Sequence, residues 1–156
     1  MSNGYPEPTT PLGKQGDVIY QQGFETYEQK HFDQAQPLIE NSLAIYREAQ
    51  HMPGVLRALH LLGNIAFELS QYATARRVHL EVLEMCRAAN IMVGVASSLN
   101  NLALVAEKEE KFTESYAYLE ESIRVYEELG DETGATAARA NLISMQERQI
   151  GKSEPP

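Results

Sequence analysis

The chain repeats itself every forty residues, and this repeat constrains its fold more than any other feature. The segment at 56–69, LRALHLLGNIAFEL, returns at 96–109 as ASSLNNLALVAEKE. Small and large residues stay in step without gaps, as a tandem repeat requires. The sets in register are Gly54, Gly94 and Gly134; Leu62, Leu102 and Leu142; Phe32, Tyr72 and Phe112; and Tyr46, Cys86 and Tyr126. A small set beside an aromatic set predicts close helix pairs in which a small residue receives a large side chain.

The apolar spacing predicts an all-α chain of three helix-turn-helix units and a single C-terminal helix. The seven predicted helices span 17–29, 33–49, 53–69, 73–89, 93–110, 113–129 and 133–149. Asp33 and Thr113 are the expected N-caps of the second and sixth helices. Asn90 and Gly130 are expected to end helices in the left-handed conformation.

These helices divide the chain into repeats at 15–52, 53–92 and 93–132, followed by a capping helix at 133–149 that covers the last apolar face. We therefore expect one repeat domain over 15–150 that ends at the capping helix, with truncation of a longer array as the alternative. Residues 1–14 contain three prolines and two glycines without an apolar period, and residues 151–156 read GKSEPP. Both segments are predicted to be disordered tails.

Composition excludes several functional classes. The net charge of −9 and the absence of Lys and Arg clusters disfavour nucleic-acid binding. The acidic run from Glu107 to Glu132 is interpreted as a solvated outer face, with an acidic docking patch as the alternative. The N-terminus has no apolar h-region, and no later segment approaches about 18 consecutive apolar residues, so neither a signal peptide nor a membrane span is predicted. The single Cys86, at a position shared with two tyrosines, is predicted to be a core residue of a cytoplasmic protein.

No catalytic, metal or cofactor motif is recognisable, and we expect neither enzymatic activity, a metal nor a cofactor. The four histidines fall on different predicted helices or turns. His79 shares its repeat position with Ile39 and Leu119, which predicts a packed helical residue. His60 is expected to face a binding surface, where protonation near neutral pH would tune affinity.

The small and aromatic positions also carry a resemblance to a known family. Leucine followed by a small residue, and an aromatic residue followed three positions later by a small one, resemble the tetratricopeptide repeat over about 17–149. The residues that match are Leu62, Gly63, Tyr72 and Ala75 in one repeat, and Leu102, Ala103, Phe112 and Ser115 in the next. The first repeat departs at Gln22, although Phe32 and Ala35 fit. The 40-residue period is similar to that of kinesin light chains, spindle-orientation adapters and bacterial signalling regulators.

The resemblance implies a right-handed superhelical solenoid whose concave groove is lined by the first helix of each pair. It also implies a protein or peptide partner, and therefore an adapter or regulatory scaffold. Helical spacing and the resemblance together predict these peptide-binding residues: Tyr20, Phe24, Tyr27, Arg57, His60, Asn64, Phe67, Asn100, Asn101, Leu104 and Asn141. The family's chaperone-binding carboxylate clamp is not expected, because Leu104 takes the place of its second asparagine.

Asn64, Asn101 and Asn141 would hold the main chain of a peptide, as in similar arrays, because an amide both donates and accepts hydrogen bonds. Each amide could instead bridge neighbouring helices or cap a turn. Tyr20, Phe24, Tyr27 and Phe67 would form an apolar pocket for an anchor residue, or would pack against the N-terminal tail or the next helix.

An alternative function is self-association through the end helices. It rests on the apolar residues of the seventh helix, which are Ala135, Ala138, Leu142, Met145 and Ile150.

Overall fold

A computed structural model describes the backbone of residues 10–153 and the side chains through Gln149. Within these residues the chain is all-α, with seven helices and no strand, as the periodicity predicted. The helices are α1 (Pro11–Glu28), α2 (Phe32–Glu48), α3 (Met52–Glu68), α4 (Tyr72–Ala88), α5 (Met92–Lys108), α6 (Phe112–Glu128) and α7 (Glu132–Ser153). We call α1, α3, α5 and α7 the A helices, and α2, α4 and α6 the B helices.

The first six helices end in the same way, at twenty-residue intervals. A left-handed residue follows each one: Lys30, Gln50, Ser70, Asn90, Glu110 and Gly130. The next residue then donates its backbone N–H to a carbonyl five positions back, as His31 does to Thr26 at 3.1 Å. These bonds satisfy carbonyls that the helix leaves unpaired. The predicted stops at Asn90 and Gly130 are confirmed, whereas the other four ends carry residues that rarely adopt this backbone.

The first helix begins earlier than the sequence indicated. α1 starts at Pro11, where the fixed φ of proline suits the first helical position. Thr10 is its N-cap, with Oγ accepting a hydrogen bond from the Gly13 N–H at 3.1 Å. Residues 11–14, which we assigned to the N-terminal tail, are therefore helical, and residues 1–9 lie outside the described part. α7 likewise continues to Ser153, and residues 154–156 are not described.

The N-cap predictions for two B helices were wrong. The N-caps are His31 for α2 and Lys111 for α6, and neither side chain makes a capping hydrogen bond. Asp33 and Thr113 lie in the first turns instead. The preceding left-handed residue fixes where each helix can start, so the best capping side chain does not decide it. An acidic residue in the first turn, such as Asp33, still interacts favourably with the helix dipole.

The chain forms two compact units, and the division between them falls within α4. Unit 1 comprises the residues up to Val78, and unit 2 the residues from His79. In unit 1, α2 packs against both α1 and α3, and α1 also contacts α3. In unit 2, α6 packs against both α5 and α7, and α5 also contacts α7. Each unit therefore places two A helices in contact, with a B helix packed against both.

The predicted packing of small against large residues is present in both units. A Cβ atom built on Gly54 would lie within 3.0 Å of the Tyr46 ring, which is fully buried. Gly134 stands in the same relation to Tyr126. No side chain fits at such a distance, so the glycine lets the following A helix lie directly on the tyrosine. The in-step glycine and aromatic sets thus mark one recurring contact.

Two further predictions, which concern Cys86 and His79, are also confirmed. Cys86 is a free cysteine with 2% exposure, beside Gly94, and burial raises the pKa of its thiol. It is a core residue. His79 is also buried, with 1% exposure, as its repeat position indicated.

The apolar residues of α7 lie largely inside unit 2. Met145 is buried with Ala103 and Leu119, and Leu142 packs against the same cluster. Ala135 and Ala138 are also buried. These four residues therefore serve the packing of α7, while the side chain of Ile150 lies outside the described part. No helix in the described part has the length and apolar character needed to cross a membrane.

Candidate binding surfaces on the A helices

In unit 1 three of the four residues of the predicted aromatic cluster form a continuous row along α1, and the fourth, Phe67, lies on α3. Tyr20 and Phe24 stack with their ring centroids 6.3 Å apart and an interplanar angle of 12°. Phe24 and Tyr27 follow at 6.4 Å and 29°. Tyr20 is buried, whereas Phe24 and Tyr27 are half-buried. Residues on successive turns of one helix face thus combine into a single aromatic strip, which we call the α1 aromatic row.

The end of this row also packs against the start of the next helix. The Tyr27 and Phe32 ring centroids are 5.5 Å apart, and the equivalent Phe67 and Tyr72 centroids are 5.7 Å apart. This is one of the alternatives that the sequence left open. Beside Tyr27 and Phe32 lies a hollow of about 280 Å³, whose other lining residues are Glu28, Lys30 and Glu68. Burial raises the pKa of Tyr27, and the charge of Glu68 raises it further.

Arg57 joins three helices of unit 1. Its guanidinium pairs with Asp17 of α1 and donates a hydrogen bond to the Tyr46 hydroxyl of α2 at 2.5 Å. It also lies over the Tyr20 ring, 4.4 Å from the centroid. The Tyr46 hydroxyl in turn donates to Asp17 at 2.5 Å. Burial and this bond raise the pKa of Tyr46 far above its usual range. Arg57, predicted to bind peptide, is thus already engaged within the fold.

Two predicted residues of unit 2 bind each other. The Asn141 amide of α7 donates to the Asn100 side-chain oxygen of α5 at 2.9 Å. Further along the same pair of helices, the Arg148 guanidinium donates to both carboxylate oxygens of Glu107, at 2.8 and 3.0 Å. For Asn100 and Asn141, therefore, the alternative of an amide that bridges neighbouring helices describes the observed contact. A bidentate ion pair strengthens the same junction.

The remaining predicted residues lie half-buried on the A helices. His60, Asn64 and Phe67 belong to α3, and Asn101 and Leu104 belong to α5. Burial lowers the pKa of His60, so its protonation moves to a more acidic pH than we expected. The two asparagines belong to different units, and the structure leaves their role in peptide binding a prediction.

Sequence reasoning missed Asp17, Glu68 and Arg148. None of them belongs to a motif, but Asp17 and Arg57 are 40 residues apart, and Glu107 and Arg148 are 41 apart. Complementary charges at the repeat spacing were the signal that would have found these pairs. Among the described residues, no group of three or more His, Cys, Asp or Glu side chains is arranged to hold a metal ion.

Comparison with known proteins places the chain in a family. Two family models described as tetratricopeptide repeats match residues 19–88 and 95–129, together more than half of the chain. A search of curated protein sequences finds no significant match. The crystal structure of aspartyl phosphate phosphatase F from Bacillus subtilis is similar to this chain, with a TM-score of 0.72 and 15% sequence identity. That match covers 90% of this chain but only 42% of the phosphatase chain, and at this identity it demonstrates the fold alone. By its repeats and its fold, the chain belongs to the tetratricopeptide repeat family.

Proposed function

We propose that the protein is an interaction module that binds an extended peptide or protein segment in the groove lined by its A helices. It would act in the cytoplasm as an adapter or regulatory scaffold and not as an enzyme. Tetratricopeptide repeats generally mediate protein–protein interaction. The buried Cys86, which has no partner for a disulfide within the chain, suits a reducing compartment.

The observation that carries this proposal is the α1 aromatic row. Phe24 and Tyr27 remain partly accessible, although each ring is fixed by its stacked neighbours. Arg57 covers Tyr20 and so anchors the inner end of the row. Rings held in place lose little conformational freedom when a ligand binds, and aromatic residues are enriched among those that dominate binding energy. The row therefore suits an apolar side chain of a partner segment.

Asn64 on α3 and Asn101 on α5 are the two amide side chains that we expect to contact the main chain of the partner segment. An amide side chain can bind a peptide main chain whatever its sequence. Loss of one buried hydrogen bond costs about 1 to 3 kcal/mol, which is roughly 5- to 150-fold in affinity per residue. We therefore expect Asn64→Ala with Asn101→Ala to weaken partner binding while the protein stays folded.

Affinity capture from a lysate of the source cell tests the proposal, with captured proteins identified by mass spectrometry. The baits are the wild type, Phe24→Ala, and the double asparagine variant. Val18→Ala is the matched control, because Val18 lies on the same helix and is 60% exposed. A partner retained by wild type and control but lost by both other variants supports the proposal, provided that their thermal unfolding is unchanged. Equal loss with Val18→Ala, or unfolding of the double variant, would contradict it.

Self-association is a second candidate, favoured by one observation. Ile143 on α7 is 54% exposed, whereas Ala135, Ala138 and Met145 on the same helix are buried. An exposed apolar side chain on an end helix can pack against a second copy. Light scattering would then give a mass above 17.4 kDa, the mass of one chain, and Ile143→Ser would return it to that value. A single-chain mass at high protein concentration would exclude this candidate.

A further inference from the structure

The hollow at the end of the α1 aromatic row combines aromatic walls with an excess of negative charge. Tyr27 and Phe32 supply the rings, Glu28 and Glu68 supply carboxylates, and Lys30 is the one basic residue among the five that line it. All five belong to unit 1. At about 280 Å³ the hollow is large enough for the end of one long side chain, but not for a whole small-molecule ligand.

The helix ends add to the negative charge. α1 ends at Glu28 and α3 ends at Glu68, so the C-termini of both helices lie at the hollow. Each helix C-terminus carries the equivalent of about half a negative charge, and the N-terminus of α2, which begins at Phe32, carries about half a positive charge that offsets one of them. Tyr27 and Glu68 both line the hollow, and the charge of Glu68 contributes to the raised pKa of Tyr27. A cation is therefore favoured in the hollow over an anion, in spite of Lys30.

In unit 2 the two equivalent repeat positions hold an acid and an arginine. An 80-residue shift, which is two repeats, aligns Tyr27 with Glu107 and Glu68 with Arg148. In unit 2 the Arg148 guanidinium binds Glu107 through two hydrogen bonds of 2.8 and 3.0 Å. Arg148 thus stands at the position of Glu68, and in unit 2 the two repeat positions pair with each other. In unit 1 the same two positions hold a ring and a carboxylate, both of which attract a guanidinium.

The α1 aromatic row already accommodates one guanidinium. Arg57 lies over the Tyr20 ring and pairs with Asp17, so its guanidinium contacts a ring and a carboxylate at once. Tyr27 and Glu68 repeat this combination at the other end of the row. The chain therefore uses a ring with a carboxylate to hold one arginine in unit 1, and a bidentate carboxylate to hold another in unit 2.

We propose that the hollow binds an arginine side chain of the partner segment, an inference that rests on the function proposed above and names its chemistry. The guanidinium lies against Tyr27 and Phe32 and pairs with Glu68, while Glu28 and the two helix ends add attraction. Arginine is preferred over lysine, because its planar group both stacks on rings and binds a carboxylate through two parallel hydrogen bonds.

Nuclear magnetic resonance titration of the full chain with N-acetyl-arginine amide tests the site directly. Its citrulline counterpart has a similar shape without the charge. We expect the arginine probe, and not the citrulline probe, to shift the amide signals of residues 27–32 and 68. Glu68→Gln should weaken binding about 2- to 5-fold, the range for one exposed ion pair. Lys30→Met should strengthen it, since a competing cation is removed.

The matched control is Glu48→Gln, at the exposed end of α2 and outside the hollow. If Glu48→Gln weakens binding as much as Glu68→Gln, the probe responds to general acidity and the inference fails. Equal binding of the citrulline probe would also overturn it. Because Glu68 is exposed, its replacement leaves the core intact, and thermal unfolding of the variant checks this.

Partner capture separates this inference from the proposed function. A partner lost by Phe24→Ala but held fully by Glu68→Gln would leave the interaction module standing and refute the arginine site. Binding of the arginine probe without capture of any partner would support the site and count against the module. Weaker capture of the partner by Glu68→Gln, with unchanged capture by Glu48→Gln, would support both the interaction module and the arginine site.

Discussion

The contact between Gly54 and Tyr46 gives the sharpest test of how the repeat packs. Three ring carbons of Tyr46 would lie within 3.0 Å of a Cβ at Gly54. The ring cannot move aside easily, because it is fully buried and its hydroxyl is bonded to Asp17 and Arg57. Gly54→Ala gains up to about 1 kcal/mol of helix propensity, whereas overpacking costs about 1 to 3 kcal/mol. We expect a net loss of roughly 1 to 2 kcal/mol in the free energy of unfolding.

Urea and thermal unfolding followed by circular dichroism would measure this loss, at about 2 to 4 °C in melting temperature for each kcal/mol. The control is Gly130→Asn: Gly130 has φ +69° with open space around it, and Asn90 holds the same backbone in the previous repeat. It should stay within about 0.5 kcal/mol of wild type. In a Tyr46→Ala background, Gly54→Ala should no longer destabilise. A neutral Gly54→Ala in the wild type, or an equal loss in both backgrounds, would refute the packing argument.

Three further predictions concern side chains that are buried or half-buried in the fold. Leu102→Ala should cost about 2 to 5 kcal/mol of stability, because Leu102 is fully buried, whereas Ile143→Ala at an exposed site should change little; equal effects on urea unfolding would contradict the core assignment. Cys86 should resist thiol reagents until the protein unfolds, since burial both shields the thiol and raises its pKa; rapid labelling of native protein would show otherwise. Burial lowers the pKa of His60 from 6.5 in the folded state, so the unfolded state binds the proton at a higher pH and the free energy of unfolding falls as the pH drops below about 6.5. His60→Gln should make the free energy of unfolding less dependent on pH in this range. An unchanged pH dependence would contradict the prediction.

The fold was predictable because one period governs the whole chain. The forty-residue spacing alone predicts the contacts between the glycine and aromatic sets and the burial of Cys86. Helix boundaries were harder to predict, since four of the six left-handed residues that follow the helices are Lys, Gln, Ser or Glu. Packing of the neighbouring helices imposes those ends, and local preference would not have selected them. The start of α1 was missed for another reason: Thr10 and Pro11 form a good helix start, but the other prolines and glycines nearby suggested a tail.

The binding residues were harder to predict, because helical spacing gives the face of a residue but not its partner. The A helices of each unit touch, and a polar side chain on one can be satisfied by the residue 40 or 41 positions away. Asp17 with Arg57, Asn100 with Asn141, and Glu107 with Arg148 are all complementary at that spacing, and all three pairs are bonded.

The same rule separates residues that hold the fold from residues that bind a partner. Two complementary side chains at the repeat spacing bond each other within the fold. Mutation of either one should therefore lower stability before it affects binding. Tyr27 and Glu68 are also 41 residues apart, but a phenol and a carboxylate do not neutralise each other as an arginine and a carboxylate do. Instead, both groups line the hollow, where the charge of Glu68 raises the pKa of Tyr27. A position where the repeat brings an acid to a ring is therefore where this chain has most to gain from a cation supplied by another molecule.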